Sequence, residues 1–272
     1  MRFKIDHDLH VHTNISPCTY DPEQTPENII KVAKEKGIKV VNITDHFWDS
    51  DVIYNVAQQT WKEGQNFKSI SRVRPLPEDD EVKLLFGCEA DLDSDDVIGI
   101  AEDKYDEFDF IVIATTHFHM MKGEKWADRS PEALAKHWIE RIDKVLDSNL
   151  PFYKVGIAHL ACCLIDNRSR EQYLTVLDTI PRSEMERVFK KAAERGVGIE
   201  INVHDVSFRN DSEIERILPI FRIAKACGCK FYLGTDAHEQ EALLYDNETV
   251  FARAIELLGL EESDKMDIPG LK

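Results

Sequence analysis

The fold and the chemistry of this chain are both indicated first by the stretch "DHDLHVHTNISPC", residues 6–18. It contains the end of a predicted strand and carries three histidines, of which His10 and His12 are separated by one valine. Side chains two positions apart on a strand point to the same side, so these two rings can bind one ion together. A single His-x-His pair is weak evidence, and its meaning depends on whether the rest of the chain supplies further ligands.

The composition is that of a folded α/β domain with an acidic surface. The chain has 272 residues, of which 43% are hydrophobic and 31% are charged, and its net charge is −17. Such a surface repels nucleic-acid backbones and anionic membranes, so we expect neither as a partner. No apolar run approaches the ~18 residues of a membrane span, and the N-terminal residues lack the pattern of a signal peptide.

The six cysteines indicate the compartment. They form no Cys-x-x-Cys pair, and a chain of 272 residues does not need disulfides to hold its core. Free thiols are typical of a reducing environment, so we expect a cytoplasmic protein. The pattern does not predict an oligomeric state.

Seven short apolar runs predict buried strands, and helix-like segments lie between most of them. The runs are residues 2–10, 39–44, 83–90, 108–115, 154–159, 197–203 and 230–235. Strands that alternate with helices predict a parallel sheet with helices outside, and seven repeats favour a barrel over an open sheet. Residues 47–80 are a longer insertion after the second strand. No linker rich in Pro, Gly or Ser divides the chain, so we expect a single domain over residues 1–272.

Potential metal ligands recur at the C-terminal ends of these strands. The histidines are His10, His12, His46, His117, His159 and His238, and the acids are Glu89 and Asp236. In parallel α/β barrels these strand ends meet at one mouth, where active sites are built. Imidazoles mixed with carboxylates are the ligand set of zinc, manganese or iron, and burying so many titratable groups without a cation is costly. The sequence therefore predicts a metal centre.

Asp45 is a candidate for a supporting catalytic role. It precedes His46 directly, and adjacent residues on a strand face opposite ways, so only one of the two faces the mouth. We expect His46 to point inward and Asp45 to orient a ligand or to cap the next helix.

Seven short motifs span nearly the whole chain between residues 6 and 238. In order they are "DLHVHT", "ITDH", "GCEAD", "TTH", "IAHL", "IEIN" and "GTDAH". Together they closely resemble the polymerase-and-histidinol-phosphatase (PHP) superfamily, whose members have a distorted barrel of seven strands. The resemblance therefore implies an α/β fold, a distorted seven-stranded (β/α)7 TIM-like barrel, formed by one domain.

The resemblance also implies a site for two to three divalent or transition metal ions. The candidate metals are zinc, manganese and iron. The implied ligands are His10, His12, Glu89 and Asp236 for the first ion, Glu89 with His117 and His159 for the second, and His46 with His238 for the third. In this arrangement Glu89 bridges the first two ions.

Cys18 is the position at which the chain departs from the pattern of the superfamily. Its members usually have an aspartate or a histidine there, six residues after His12. A thiolate binds zinc or iron and is unsuited to manganese or magnesium. We expect a weak third site that depends on His46, His238 and water, and in the alternative case Cys18 is itself a ligand.

The predicted metal cluster favours the hydrolysis of phosphate esters. Divalent metals acidify a bound water, which attacks phosphorus as hydroxide, and they neutralise charge on the phosphoryl oxygens. Arg168 and Arg209, in loops after the strands, are the candidate phosphate ligands because a guanidinium fork matches phosphate oxygens. His204, just beyond the sixth strand, is the candidate acid for a leaving alkoxide. The expected substrate is a small phosphate monoester, and histidinol phosphate is the nearest one by resemblance.

Three other functions remain open. An amidohydrolase-type C–N hydrolase is disfavoured, because many such enzymes bridge two metals with a carbamylated lysine and residues 108–117 contain no lysine. A phosphodiesterase or nuclease is restricted to short substrates, because the charge of −17 opposes nonspecific DNA binding. A binding protein that has lost catalysis is disfavoured by the near-complete ligand set, although Cys18 keeps this alternative open.

Overall fold

The chain is an α/β protein with parallel strands, as the sequence predicts. The computed structural model describes residues 1–53 and 64–271, so residues 54–63 of the predicted insertion lie outside the described residues. The strands of the described residues are β1 (His7–Val11), β2 (Val40–Ile43), β3 (His46–Phe47), β4 (Lys83–Phe86), β5 (Cys88–Asp91), β6 (Ile111–Ala114), β7 (Val155–Ala158), β8 (Gly198–Asn202) and β9 (Lys230–Gly234). Each neighbouring pair of these strands is parallel.

The strands are arranged in two sheets. One sheet has the order β1-β2-β4 and the other has the order β3-β5-β6-β7-β8-β9. The third predicted strand is divided into β4 and β5, and the short strand β3 follows closely after the second predicted strand, β2. Hydrogen bonds join these segments, from Gly87 N to Ile43 O at 2.9 Å and from Glu89 N to Asp45 O at 3.3 Å. A bridge between Val11 and Ala237 links β1 to the residues after β9. The closed seven-stranded barrel itself stays a prediction.

A bulge in β1 decides which of its side chains face the site. His7 and Asp8 pair with consecutive residues of β2, but the register then shifts before Val11, so β1 carries one extra residue. Leu9 consequently packs with interior residues of other strands, while its neighbour His10 is also directed inward. Bulges of this kind re-aim side chains beside active sites.

Helices cover the sheets, and the first of them has a cap at each end. In the first helix, the Thr25 hydroxyl accepts a hydrogen bond from Asn28 N, and Gly37 closes the helix in the left-handed conformation with φ of 73°. The α-helices of the described residues are α1 (Pro26–Lys36), α2 (Phe67–Ile70), α3 (Pro131–Leu146), α4 (Arg170–Thr179), α5 (Arg182–Arg195), α6 (Val203–Val206), α7 (Asp211–Ala226), α8 (Gln240–Leu244) and α9 (Asn247–Leu258). Short 3-10 turns lie at Ser71–Val73, Glu102–Glu107, Phe118–Met120, Glu124–Trp126, Phe152–Lys154, Cys163–Ile165 and Glu262–Asp264.

Two apolar clusters hold the fold. The larger one packs the helices against the outer faces of the strands, with Trp138 of α3 and Phe221 of α7 fully buried in it. The smaller one lies among the strands, where Val112, Phe110 and Tyr232 meet. Within the two described stretches, no helix is both long enough and apolar enough to cross a bilayer.

Candidate metal centre

The structure brings the predicted ligands together beyond the C-terminal ends of the strands. Six of the nine are buried, and Cys18, Asp236 and His238 are half-buried. Their donor atoms form three overlapping groups in which the atoms of each group lie within 4.8 Å of one another. The groups are His12 with Cys18, His46 and His238; His10 with His12 and Glu89; and Glu89 with His117 and His159.

Glu89 occupies the centre, and its two oxygens face different pairs of rings. Oε1 lies 3.0 Å from Nε2 of His159 and 3.8 Å from Nε2 of His117. Oε2 lies 3.4 Å from Nε2 of His12 and 3.6 Å from Nε2 of His10. A carboxylate placed in this way can bridge two ions.

Asp236 faces the pair of rings formed by His10 and His12. Its Oδ1 lies 3.1 Å from Nε2 of His12 and 3.4 Å from Nε2 of His10. Burial raises the pKa of Asp236, but the neighbouring rings of His10 and His12 hold that pKa well below its usual value. The carboxylate is therefore charged and faces the same two nitrogens as Glu89 Oε2.

The donor set fits cations. Glu89 Oε2 is buried, and among the described residues no hydrogen bond of normal geometry satisfies it. Burial raises the pKa of Glu89, yet His46 and His10 hold that pKa well below its usual value. A buried, charged and unsatisfied carboxylate oxygen facing imidazole nitrogens is what a metal ligand presents without its ion.

Carboxylates orient two of the rings. His10 places Nδ1 2.8 Å from Glu200 Oε1, and His117 places Nδ1 2.5 Å from Asp91 Oδ1. When Nδ1 donates to a carboxylate, Nε2 is left without a proton and can bind a metal. In both rings that nitrogen is the one that faces Glu89.

Two further rings are oriented by neutral acceptors. The Thr116 hydroxyl donates to His159 O at 3.1 Å, so it accepts from His159 Nδ1 at 2.7 Å. Nδ1 of His238 donates to Asp236 O at 2.8 Å. In the neutral form with the proton on Nδ1, each of these four rings would present Nε2 to a metal ion.

Backbone strain marks two of the predicted ligands. His159 has φ of 33° and Asp236 has φ of 55°, both in the left-handed region that favours glycine. Residues without glycine's freedom keep such values only where the surroundings enforce them, and these residues are concentrated at functional sites. For His159 the enforcing contact is its backbone N–H, which donates to Glu200 Oε2 at 2.7 Å.

Glu200 and Asp91 are the functional residues that the sequence reasoning missed. Glu200 lies in the motif "IEIN", and Asp91 lies in "GCEAD", two residues beyond Glu89. The two-residue period of a strand was a signal for Asp91, because it puts Asp91 on the same side as Glu89. For Glu200, the signal was a carboxylate inside an otherwise apolar strand.

Asp45 is fully engaged in holding the loop after β1. Its two carboxylate oxygens accept hydrogen bonds from Thr13 N and from Thr13 Oγ1, each at 2.7 Å. His46 turns to the other side, where Nδ1 lies 2.8 Å from Glu89 Oε2. Asp45 therefore supports the loop that carries Cys18, rather than capping a helix.

Cys18 lies in that loop, beside His46 and His238. Burial raises the pKa of the Cys18 thiol, but hydrogen bonds with His238 and His46 lower it to about 7. The sulfur shares one group of donor atoms with the Nδ1 or Nε2 atoms of both rings. A turn at Pro17, closed by the hydrogen bond from Thr19 N to Ser16 O, brings residue 18 to these rings.

The predicted phosphate ligands lie outside these groups. Arg168 donates through Nε to Asp166 Oδ1 at 2.8 Å and through Nη2 to Asp166 Oδ2 at 2.5 Å and Arg129 O at 2.7 Å. These bonds use Nε and Nη2 of the guanidinium group and not Nη1. Arg209 has an exposed side chain, and its backbone N–H donates to Glu213 Oε2 at 2.8 Å.

The predicted acid, His204, has an exposed side chain on the short helix α6. The structure does not place it in any of the buried groups of the described residues. Its neighbour Asp205 is the buried residue, with Oδ2 accepting from Ala161 N at 3.1 Å. Burial raises the pKa of Asp205 to about 8, so this carboxyl group is protonated at neutral pH.

Known proteins similar to this chain indicate its family. Residues 8–204 match the family model described as the PHP domain. A probable phosphatase from Clostridium acetobutylicum is 27% identical over 239 residues, which cover 88% of this chain and 80% of that protein.

Two solved structures have a similar fold. One is the histidinol phosphate phosphatase of Lactococcus lactis in complex with zinc, L-histidinol and phosphate, with a TM-score of 0.56, 16% identity and coverage of 96% of this chain and 98% of that chain. The other is a candidate histidinol phosphatase from Listeria monocytogenes, with a TM-score of 0.60, 13% identity and coverage of 90% of this chain and 99% of that chain. Because the family model spans well over half of its residues, this chain belongs to the PHP domain family.

Proposed function

We propose that this protein is a metal-dependent hydrolase of small phosphate monoesters. The observation that carries the proposal is the position of Glu89, whose two oxygens face two different pairs of histidine Nε2 atoms. Such a carboxylate can hold two ions side by side, and paired divalent ions are suited to displacement at phosphorus.

The residues of the site have two roles, since some bind the metal ions and others orient these ligands. We assign the metal ligands as the sequence predicts, with His10, His12, Glu89 and Asp236 for one ion, Glu89, His117 and His159 for a second, and His46 and His238 for a third. When bound, such ions (zinc, manganese or iron) acidify a water molecule and neutralise charge on the phosphoryl oxygens. Asp91 and Glu200 orient ligand rings and exclude the wrong tautomer.

The remaining residues act on the substrate. Arg209 and the Nη1 atom of Arg168 bind phosphoryl oxygens, because a guanidinium group matches their geometry and charge. His204 protonates the leaving alkoxide oxygen from the solvent side. A seven-stranded barrel in a single domain, residues 1–272, is the architecture that would direct all these residues to one mouth.

The relatives support a phosphate monoester as the substrate class. The similar protein of Clostridium acetobutylicum is named a probable phosphatase. The structure from Lactococcus lactis is of a histidinol phosphate phosphatase, and it contains L-histidinol and phosphate. Histidinol phosphate is therefore the first ester to test. We propose that the protein acts in the cytoplasm.

The test is a substrate panel with purified full-length protein loaded with manganese or zinc. We expect release of inorganic phosphate from histidinol phosphate or a similarly small monoester, and little action on phosphodiesters or amides. Glu89→Ala, loaded in the same way, is the negative control. Amide cleavage without phosphate release would favour the amidohydrolase alternative, and cleavage of diesters alone would favour the phosphodiesterase alternative.

A further inference from the structure

The loop that carries Cys18 is held in one conformation. Thr19 N donates to Ser16 O at 3.0 Å, which closes a four-residue turn with Pro17 at its second position, where proline is favoured. Ser16 Oγ accepts from His46 N at 3.2 Å. The sulfur is therefore positioned by the turn before any ligand binds.

The sulfur shares a group of donor atoms with three rings. Its group contains His12, His46 and His238, with all donor atoms within 4.8 Å of one another. His12 Nε2 already faces Asp236 Oδ1 at 3.1 Å, so we count this ring with the first ion. His238 donates through Nδ1 to a carbonyl oxygen, which leaves Nε2 for an ion.

A second observation points to a cation at this place. Glu89 Oε2 is buried and, among the described residues, lacks a hydrogen bond of normal geometry, and it lies 2.8 Å from His46 Nδ1. The group around Cys18 thus borders directly on the carboxylate that serves the other ions. An ion held there would add to one continuous centre.

We infer that the Cys18 thiolate is a ligand of the third site, together with His46 and His238, and that this site selects a thiophilic ion such as zinc, iron or cobalt over manganese or magnesium. Soft sulfur ligands prefer the first three ions, whereas oxygen and nitrogen ligands accept manganese. The inference rests on the metal centre proposed above. It replaces the expectation from sequence that the third site would depend on two histidines and water.

The inference makes the centre chemically asymmetric. The first two sites offer only nitrogen and oxygen donors, so they can hold manganese as well as zinc. The third offers two nitrogens and one sulfur, and three protein ligands leave one coordination position open to water or substrate. The protein would then bind two kinds of ion at once when both are present.

Cobalt(II) loading tests the inference on the wild-type protein without any substitution. A thiolate bound to cobalt gives an intense charge-transfer band in the near ultraviolet, and zinc bound by sulfur gives a Zn–S distance of ~2.3 Å in X-ray absorption. We expect both signals. A spectrum with nitrogen and oxygen neighbours only would overturn the inference, even if the enzyme is active.

Two variants locate the sulfur. Cys18→Ser should abolish the charge-transfer band and lower the bound zinc by about one equivalent after equilibration with a competing chelator. Cys227→Ser is the matched control, because Cys227 lies at the C-terminal end of α7 and its thiol donates to Glu186 O. A band that survives in Cys18→Ser, or that disappears in Cys227→Ser, would contradict the assignment.

Cys18→Asp separates metal selectivity from activity. An aspartate is a hard ligand at the same place, so this variant should bind about one more equivalent of manganese than the wild type. Equal manganese content in both proteins would overturn the claim of selectivity. A cobalt–thiolate band in a protein that releases no phosphate would support Cys18 as a ligand and would refute the proposed function. Failure of the ligand assignment can thus be distinguished from failure of the proposed function.

Discussion

Glu200 Oε1 lies 2.8 Å from Nδ1 of His10, deep between β8 and β1. The other oxygen of the same carboxylate accepts hydrogen bonds from the backbone N–H of His159 at 2.7 Å and from Asn202 Nδ2 at 3.1 Å. One buried acid thus fixes the ring of one proposed ligand and the backbone of another. Glu200 itself belongs to none of the three groups of donor atoms among the described residues.

We expect Glu200→Gln to weaken metal binding by about 10–100-fold, the range for partners that orient metal ligands. A glutamine turns one of the two oxygens into an NH2 group, which then faces an N–H donor. Metal affinity by chelator competition is the measurement. Glu215→Gln, at an exposed position of α7, is the control, and an unchanged affinity in Glu200→Gln would remove the orienting role.

Gly234→Ala should lower metal content although residue 234 is not a ligand. A Cβ at this position would overlap Glu200 Oε1 and lie 2.7 Å from the Cβ of His10, so the pair must separate. Gly198→Ala is the control, since its Cβ would meet Met266 Sδ at the opposite end of β8. We expect reduced metal content by elemental analysis in the first variant only; equal losses in both would indicate a general effect on the sheet.

Glu89→Ala should be more harmful than His10→Ala. The carboxylate faces two pairs of rings, so its removal takes a ligand from two ions, whereas His10 serves one. We expect the loss of about two equivalents of metal against about one, with turnover abolished by chelation in the wild type. Full turnover of a demonstrably metal-free preparation would end this interpretation of the site.

Arg209→Ala should raise the KM for a phosphate monoester by about 10-fold, the effect of losing one or two hydrogen bonds to a charged group. Arg168→Ala should raise KM and also lower Tm, because Asp166, which is 1% exposed, loses its guanidinium partner. Steady-state kinetics and thermal melts separate the two effects. Arg187→Ala, which removes an ion pair with Asp143 on the outside of the protein, should leave KM unchanged.

Arg141→Met should destabilise the fold by about 3–5 kcal/mol, the cost of removing one partner from a buried charged network. Arg141 is fully buried and donates to Thr115 O, Asp93 O and Leu92 O at 2.7–3.0 Å. These carbonyls belong to the segments that follow β5 and β6. Removal of the guanidinium group should therefore also disturb the segments next to Asp91 and His117 of the site. Denaturant unfolding measures the change, with the exposed Lys144→Met on the same helix as control; a loss below about 1 kcal/mol would contradict the prediction.

Apart from Cys18, the residues that the structure gathers into the three donor groups lie at or just beyond strand ends, which local patterns mark in the sequence. His10 and His12 share a side through the two-residue period of a strand, and Glu89 follows an apolar run. The roles of Glu200 and Asp205 were not predictable in this way. Their partners, His10 and Ala161, are distant in the chain and meet them only after folding.

The sequence by itself determined the alternation of strands and helices and the set of side chains that reach one end of the sheets, since both depend on short-range periodicity. Only the tertiary structure decided that Asp45 holds Thr13, that His204 is exposed and that the sulfur of Cys18 lies against His46 and His238. The physical reason is that these positions depend on contacts between segments that are distant in the chain, such as the hydrogen bond from His46 N to Ser16 Oγ. Local patterns do not encode such contacts.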